Sequence, residues 1–282
     1  MNLSRILASV VAAGIAIAAT AVFLGSRRWA GETRNIRARI DAAQTNDHGV
    51  VDFSELAGLP APVQRYFRRV LKDGQPMVER IQLSQKGEMN FSETDEKWKA
   101  FTADQLVNLQ RPGFMWDARV RMMPAVDVRV HDSYASGEGA LRAAVLGLIT
   151  VGEFHGGTAM AEGELMRFLA ESVWYPTALL PSQGVRWQSI DDHSALATLT
   201  DGETGVTLTF RFNDDGLISS FDAASRGRAI DSKIVAAPWH GRFWNYQDQG
   251  GTTVPMEGEV SWVLPTGARP YWRGQTTKIV YE

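Results

Sequence analysis

Acidic residues and a histidine gather around glycines in one stretch of this chain: Glu153, His155, Glu162 and Glu164. Carboxylates and an imidazole within reach of one another are the equipment of general acid–base catalysis, so Glu153, His155 and Glu164 form a candidate hydrolytic site. Their spacing supplies no nucleophile and no orienting partner, and the same residues suit a polar, Gly-rich loop. Two further clusters carry metal-binding residue types: His131-Asp132 with Tyr134, and Asp191-Asp192-His193. Neighbours in an extended strand point to opposite faces and do not converge on one ion, and Asp-Asp-His between strand-like runs is ordinary turn chemistry. Strong zinc spacings, a G-x-S-x-G elbow, a Walker loop and a G-x-G-x-x-G after a strand are absent. Gly137-Glu138-Gly139 reads as a turn or bulge rather than a phosphate cradle. No catalytic residue, metal ligand or cofactor is assigned.

Glu164 and Arg167 stand three apart on a helical pattern, where opposite charges meet. In water such a pair contributes well under about 1 kcal/mol. Packed against a sheet, it would instead fix the helix to the strands.

Aromatic residues offer a different chemistry. Trp98, Trp116, Trp174, Trp187, Trp239, Trp244, Trp262 and Trp272 all fall within strand-like sequence or beside it. Most such side chains are core, but inward aromatics on a curved sheet can also wall an apolar ligand. Trp116, Trp174, Trp187, Phe210 and Phe212 are expected to line such a hollow.

The elements that position these residues are mainly strands. Phe114, Trp116, Ala118, Val120 and Met122 alternate with Met115, Asp117, Arg119 and Arg121. Val126, Val128 and Val130 alternate with Asp127, Arg129 and His131, and Pro124 between the runs suggests a hairpin. A period of two with one wet face favours antiparallel sheet. The pattern returns in Val206, Leu208, Phe210 and Phe212, closed by the hairpin signal Asp214-Asp215-Gly216 and a return strand over 217–221. Three long runs follow over 238–248, 252–264 and 270–281, joined by short turns, which argues for a meander.

Helical period appears in two places. Pro62 suits a first helical turn, Val63, Phe67, Val70 and Leu71 then share one face, and Gly74 and Pro76 end it. Residues 161–173 place Leu165, Phe168, Leu169 and Ser172 together, before Pro176 and Pro181 stop the helix. A helix inserted into a meander belongs across the concave face or mouth of a curved sheet, as a lid.

The chain has 282 residues, net charge −3 and no cysteine. That balance offers no basic field to nucleic acid, and the missing cysteines do not decide the compartment. Residues 6–24 form an uncharged apolar run that as a helix spans about 28 Å, close to the thickness of a hydrocarbon core. An uncleaved single-pass anchor is the expected reading. Ala19-Thr20-Ala21 resembles a signal cleavage site, but the apolar run continues beyond it. Arg27, Arg28, Arg34, Arg37 and Arg39 follow the span and Arg5 precedes it, which favours a cytoplasmic body. Large domains are exported regardless of such charges, so the side of the membrane stays open. The expected organisation is an anchor over 1–28, a juxtamembrane stalk and short helix over 29–75, and an antiparallel β domain over 76–282 with its inserted helix. A polar linker is expected over 45–49.

Several motifs carry a family resemblance. Leu59-Pro60-x-Pro62-Val63-x-Arg65-Tyr66, Gly163-Glu164-Leu165-x-Arg167 with Trp174-x-Pro176-Thr177-Ala178-Leu179-Leu180-Pro181, Pro238-Trp239-x-Gly241-x-Phe243 and Pro270-Tyr271-Trp272-Arg273-Gly274 resemble a bacterial family of uncharacterised proteins. The resemblance covers nearly everything beyond the anchor and implies membership without an activity to carry over. A meander with a helix across its concave face is also similar, in element order, to LolA-like lipoprotein carriers. The expected fold is mainly β: a curved antiparallel meander or half-barrel with a few helices and an N-terminal transmembrane helix. The expected function is membrane-tethered binding of an apolar molecule such as a lipid or lipidated chain. The alternatives are the hydrolase above and a structural or assembly module, whose protein partner the residues do not name.

Overall fold

Unbroken apolar sequence keeps the first helix continuous, and in the computed structural model α1 runs Leu3–Asp41. The structure describes residues 3–42, 49–92, 95–230 and 233–282; of the linker expected over 45–49, all but Gly49 lies outside them. Residues 6–24 of α1 stand free of the body and are exposed almost throughout, and this helix is long and apolar enough to cross a membrane. Beyond Gly25 the same helix lies on the sheet. Trp29, Ile36 and Ile40 recur on one face at helical spacing, with Trp29 and Ile40 buried. The arginine-rich stretch after the span is therefore a packed continuation of α1, with no break at residues 28–29.

Among the described residues thirteen strands form one antiparallel sheet. They are β1 Arg80–Asn90, β2 Trp98–Asn108, β3 Gly113–Met123, β4 Val126–Ala135, β5 Glu138–Val145, β6 Ile149–His155, β7 Arg186–Asp191, β8 Ser194–Asp201, β9 Thr204–Phe212, β10 Ile218–Ile230, β11 Lys233–Gln249, β12 Thr252–Leu264 and β13 Gly267–Tyr281. Their spatial order is β6-β5-β4-β3-β2-β1-β13-β12-β11-β10-β9-β8-β7. Two meanders thus meet at a β1–β13 seam, where Ile81 lies opposite Tyr281.

Helix α2, Ala61–Val70, buries Val63, Tyr66, Phe67 and Val70. It ends earlier than Gly74 because Leu71 is already extended and turns its side chain into the core. Helix α3, Thr158–Glu171, carries the chain from edge strand β6 toward edge strand β7, followed by short 3₁₀ turns over Ser172–Trp174, Pro176–Leu179 and Pro181–Gln183. It starts three residues before the expected 161 because Gly156 and Gly157, both at positive φ, release the chain from β6. It touches β4 and β5 on one side and β9 and β10 on the other. One helix reaches strands of both meanders only if the sheet wraps around it, so the fold is the curved antiparallel sheet with a helix across its concave face.

The approach is closest at Gly139 of β5, where a Cβ would stand 2.5 Å from the Met160 carbonyl oxygen. On the convex side α1 covers β3 and β4. Trp29 Nε1 donates to Asp117 Oδ1 at 2.9 Å, and its ring stacks on His131 at 3.8 Å. Burial pushes the Asp117 carboxyl up, but hydrogen bonds from His131 and Trp29 outweigh it and hold the group below the ordinary range.

Antiparallel pairing gives the sheet two distinct ends. Across β1–β6 and the adjoining β13 and β12, the β1–β2, β3–β4, β5–β6 and β12–β13 connections lie at one of them. Helix α1 runs between the ends. Asn108 Nδ2 donates to the Ile40 carbonyl at the far end, and Arg129 donates to Ser26 Oγ toward the near one. Gly25 then meets the β5–β6 turn so closely that a Cβ would stand 2.5 Å from Leu148 Cγ. The apolar segment of α1 therefore leaves the body at the end carrying those four connections.

Candidate functional site

Helix α3 does not fill the hollow it spans. A cavity of about 380 Å³ remains beneath it. Its walls include Trp116 of β3, Val130 of β4, Leu141 of β5, Trp239 of β11, Trp262 of β12 and Trp174 from the turn after α3. The indole N–H groups are satisfied within the wall: Trp116 Nε1 donates to Gln85 Oε1 at 3.0 Å, Trp174 Nε1 to the Pro255 carbonyl at 2.8 Å and Trp239 Nε1 to the Tyr271 hydroxyl at 3.0 Å. With those donors engaged, these indoles face a ligand as apolar rings.

A buried charge network crosses the roof. Arg167 Nη1 donates to Asp132 Oδ2 at 2.5 Å and Arg167 Nε to Glu171 Oε1 at 2.7 Å; Gln105 Nε2 donates to Glu171 Oε2 at 2.6 Å. Arg226 Nε donates to the Gly163 carbonyl at 3.0 Å and its Nη2 to Glu164 Oε1 at 3.2 Å. Both guanidiniums lie over aromatic faces, Arg167 at 5.1 Å from the Trp116 ring and Arg226 at 4.4 Å from that of Trp239. Three carboxyls thus share two guanidiniums. Burial first, and Asp132 second, push Glu164 well above the ordinary carboxylate range. Glu164 Oε2 and Asp132 Oδ1 are both buried, and as bare carboxylate oxygens both lack a partner. A proton on Glu164, donated toward Asp132, satisfies both oxygens.

The expected site residues divide between two places. Trp116 and Trp174 line the cavity. Trp187, Phe210 and Phe212 do not; they pack with Tyr66 and Phe67 of α2, Trp187 lying 5.7 Å from Phe210 and 6.4 Å from Phe67. The reason is that α2 covers that part of the concave face, which strand periodicity cannot reveal. Glu164 and Arg167 are both buried on the cavity side, but their hydrogen-bonded partners are Arg226 for one and Asp132 and Glu171 for the other. Glu153 and His155 pair with each other at 3.0 Å on edge strand β6. Phe154 between them lines the cavity, so alternation points those two the other way, across the sheet from Glu164. His131 and Asp132 likewise part to opposite faces, one under Trp29 and the other to Arg167. His193 donates its backbone N–H to Asp191 Oδ1, a turn contact.

Asp132, Arg226 and Gln105 were not anticipated as members of the network. Asp132 shares the period-two face of Val128, Val130 and Tyr134, and an acid on an apolar face was the available signal. Arg226 gave none, because an irregularity between Ala223 and Arg226 resets the alternation of β10.

Residues 57–281 match DUF6920, a family of unknown function. The chain belongs to that family. Comparison with curated proteins gives no match. Among solved structures, the chain is similar to a LolA superfamily protein from Nitrosomonas europaea, at 9% identity over 80% of this chain and 94% of that one, with a TM-score of 0.45. It is also similar to a β-barrel-like protein of the domain of unknown function DUF1849 from Brucella abortus, at 10% identity over 73% and 99%, with a TM-score of 0.26. Likenesses this remote have no bearing on function.

Proposed function

We propose that this protein binds an apolar or amphiphilic molecule, such as a lipid or a lipid-modified chain, in the cavity beneath α3, and that residues 6–24 hold it at a membrane. The observation that carries the reading is the 380 Å³ aromatic hollow, within the roughly 300–1,000 Å³ usual for small-molecule sites. Apolar burial at about 25 cal/mol per Å² supplies affinity there without matched polar contacts. The buried charges of the roof pair with one another, and the aromatic walls, with Arg228 and Arg269 beside them, are left to contact a ligand. In this reading residues 76–282 form the binding body, and α1 beyond Gly25 is a strut fixed to its convex face.

The test is titration of delipidated full-length protein with cis-parinaric acid, read as energy transfer from tryptophan. Saturable transfer at one probe per chain, reversed by unlabelled fatty acid, is expected. Absence of saturable transfer to folded protein overturns the proposal.

A further inference from the structure

We infer that the cavity opens onto the bilayer, with the strand ends that carry its mouth docked on the lipid surface. The inference rests on the membrane-tether reading above and adds an orientation that the tether alone does not impose.

Three observations converge on one end of the sheet. The first is the path of α1. It is locked to β2, β3 and β4 from Ile40 to Ser26 and leaves the body where Gly25 meets the β5–β6 turn. A rigid helix docked in this way carries the body to the bilayer with that end foremost.

The second is where the cavity reaches the surface. Asn90 and Phe91 at the end of β1, Leu264 at the end of β12 and Arg269 near the start of β13 all line it. Each belongs to a connection at the α1 exit end. Phe91 is also exposed, so the mouth reaches the surface there.

The third is the distribution of exposed large apolar side chains. Outside the apolar segment of α1, Phe91, Met123, Ile149 and Val263 sit at strand ends on this side, with Val151 two residues along β6 from Ile149; Val50, Ile190, Ile234, Val235 and Trp244 lie elsewhere. An apolar fringe continuous with a membrane-spanning helix, with Arg27 and Arg28 beside it, matches the composition of an interfacial surface. A lipid surface is the occupant that accounts for the fringe and the helix together. A ligand would then pass from bilayer to cavity without crossing water.

The chain has no cysteine, so single cysteines give unique labels. Ile149→Cys and Phe91→Cys report the rim, Ile15→Cys the apolar segment and Val50→Cys the opposite end. All four side chains are exposed, so labelling does not disturb the core. Full-length variants carrying an environment-sensitive fluorophore are placed in vesicles of phosphatidylcholine and phosphatidylglycerol in equal parts, with or without doxyl-labelled lipid. Emission at Ile15, Phe91 and Ile149 falls roughly twofold or more, as befits probes at or below the headgroup boundary, while Val50 is unchanged. Quenching at Ile15 with none at Phe91 and Ile149 overturns the orientation and leaves the tether standing. Equal quenching at Val50 and the rim also overturns it. No quenching at Ile15 removes the tether, and the orientation with it.

Discussion

Gly163 allows the cavity to be filled without damaging the helix that roofs it. It lies inside α3, lines the cavity and has no positive φ. A Cβ added there has Arg226 Nε, 4.0 Å away, as its nearest neighbour. Alanine therefore fits and removes the flexibility of a mid-helix glycine, a stabilisation of about 0.5–1 kcal/mol. The same methyl displaces about one methylene of ligand contact, near 0.8 kcal/mol, or roughly fourfold in Kd. Leucine at 163 displaces about four such groups. At about 0.8 kcal/mol each, that is close to 3 kcal/mol and roughly 200-fold weaker binding. The two effects have opposite signs: the helix gains stability while the ligand loses affinity. Urea unfolding followed by circular dichroism reads the first, and parinaric acid titration the second. Folded G163L protein that binds within about threefold of the parent would show that the ligand does not lie under α3.

Protonation of Glu164 makes stability pH-dependent. The folded state holds this proton above the unfolded value near 4.5, so the stabilisation is complete below that pH and is lost as pH rises through the elevated folded value. Urea midpoints of the parent should fall with rising pH through that window, and E164Q should remove that part of the slope; an identical slope in E164Q refutes the assignment. G139A places a Cβ 2.5 Å from the Met160 carbonyl oxygen, about 0.9 Å inside ordinary contact, and should cost about 1–3 kcal/mol in unfolding free energy as α3 is pushed off β5. W29A removes a buried ring and its bond to Asp117; it should cost roughly 3–5 kcal/mol and speed amide exchange over residues 25–41. Unchanged exchange there would mean that α1 is not held through Trp29.

The strands were legible where one face is wet and one dry. β9 buries Val206, Leu208, Phe210 and Phe212 in the expected alternation, and Gly216 at positive φ makes the turn that Asp214-Asp215-Gly216 announces. The alternation of β3 blurs at Met115, because α1 covers the face expected to be wet. The signal for that packing lay in Trp29, Ile36 and Ile40, hidden among arginines that suggested a solvated stalk. The cavity was legible only in part. Aromatics at strand period could be counted, but which of them a helix covers is a long-range fact. Trp187, Phe210 and Phe212 meet α2, more than a hundred residues earlier in the chain, while Trp116 and Trp174 meet open space. The charge network escaped for a similar reason: Asp132, Arg167 and Arg226 come from three separated segments, and spacing along the chain could pair Arg167 only with Glu164.

That network also decides how α3 can behave. The helix is held from both halves of the sheet, by Asp132 of β4 and Gln105 of β2 through Arg167 and Glu171, and by Arg226 of β10 at Gly163 and Glu164. Buried pairs of this kind contribute little net stability, because desolvation offsets their attraction, but stranding one partner costs about 3–5 kcal/mol. Lifting α3 as a lid would strand several at once. The same contacts keep the helix from settling into the hollow, since each guanidinium is already fixed between a carboxyl and an aromatic face. The roof therefore works as a fixed spacer rather than a hinge. With α3 immobile on those terms, a ligand bound as proposed would have to enter past the exposed residues that line the cavity, such as Phe91, rather than by displacing the helix.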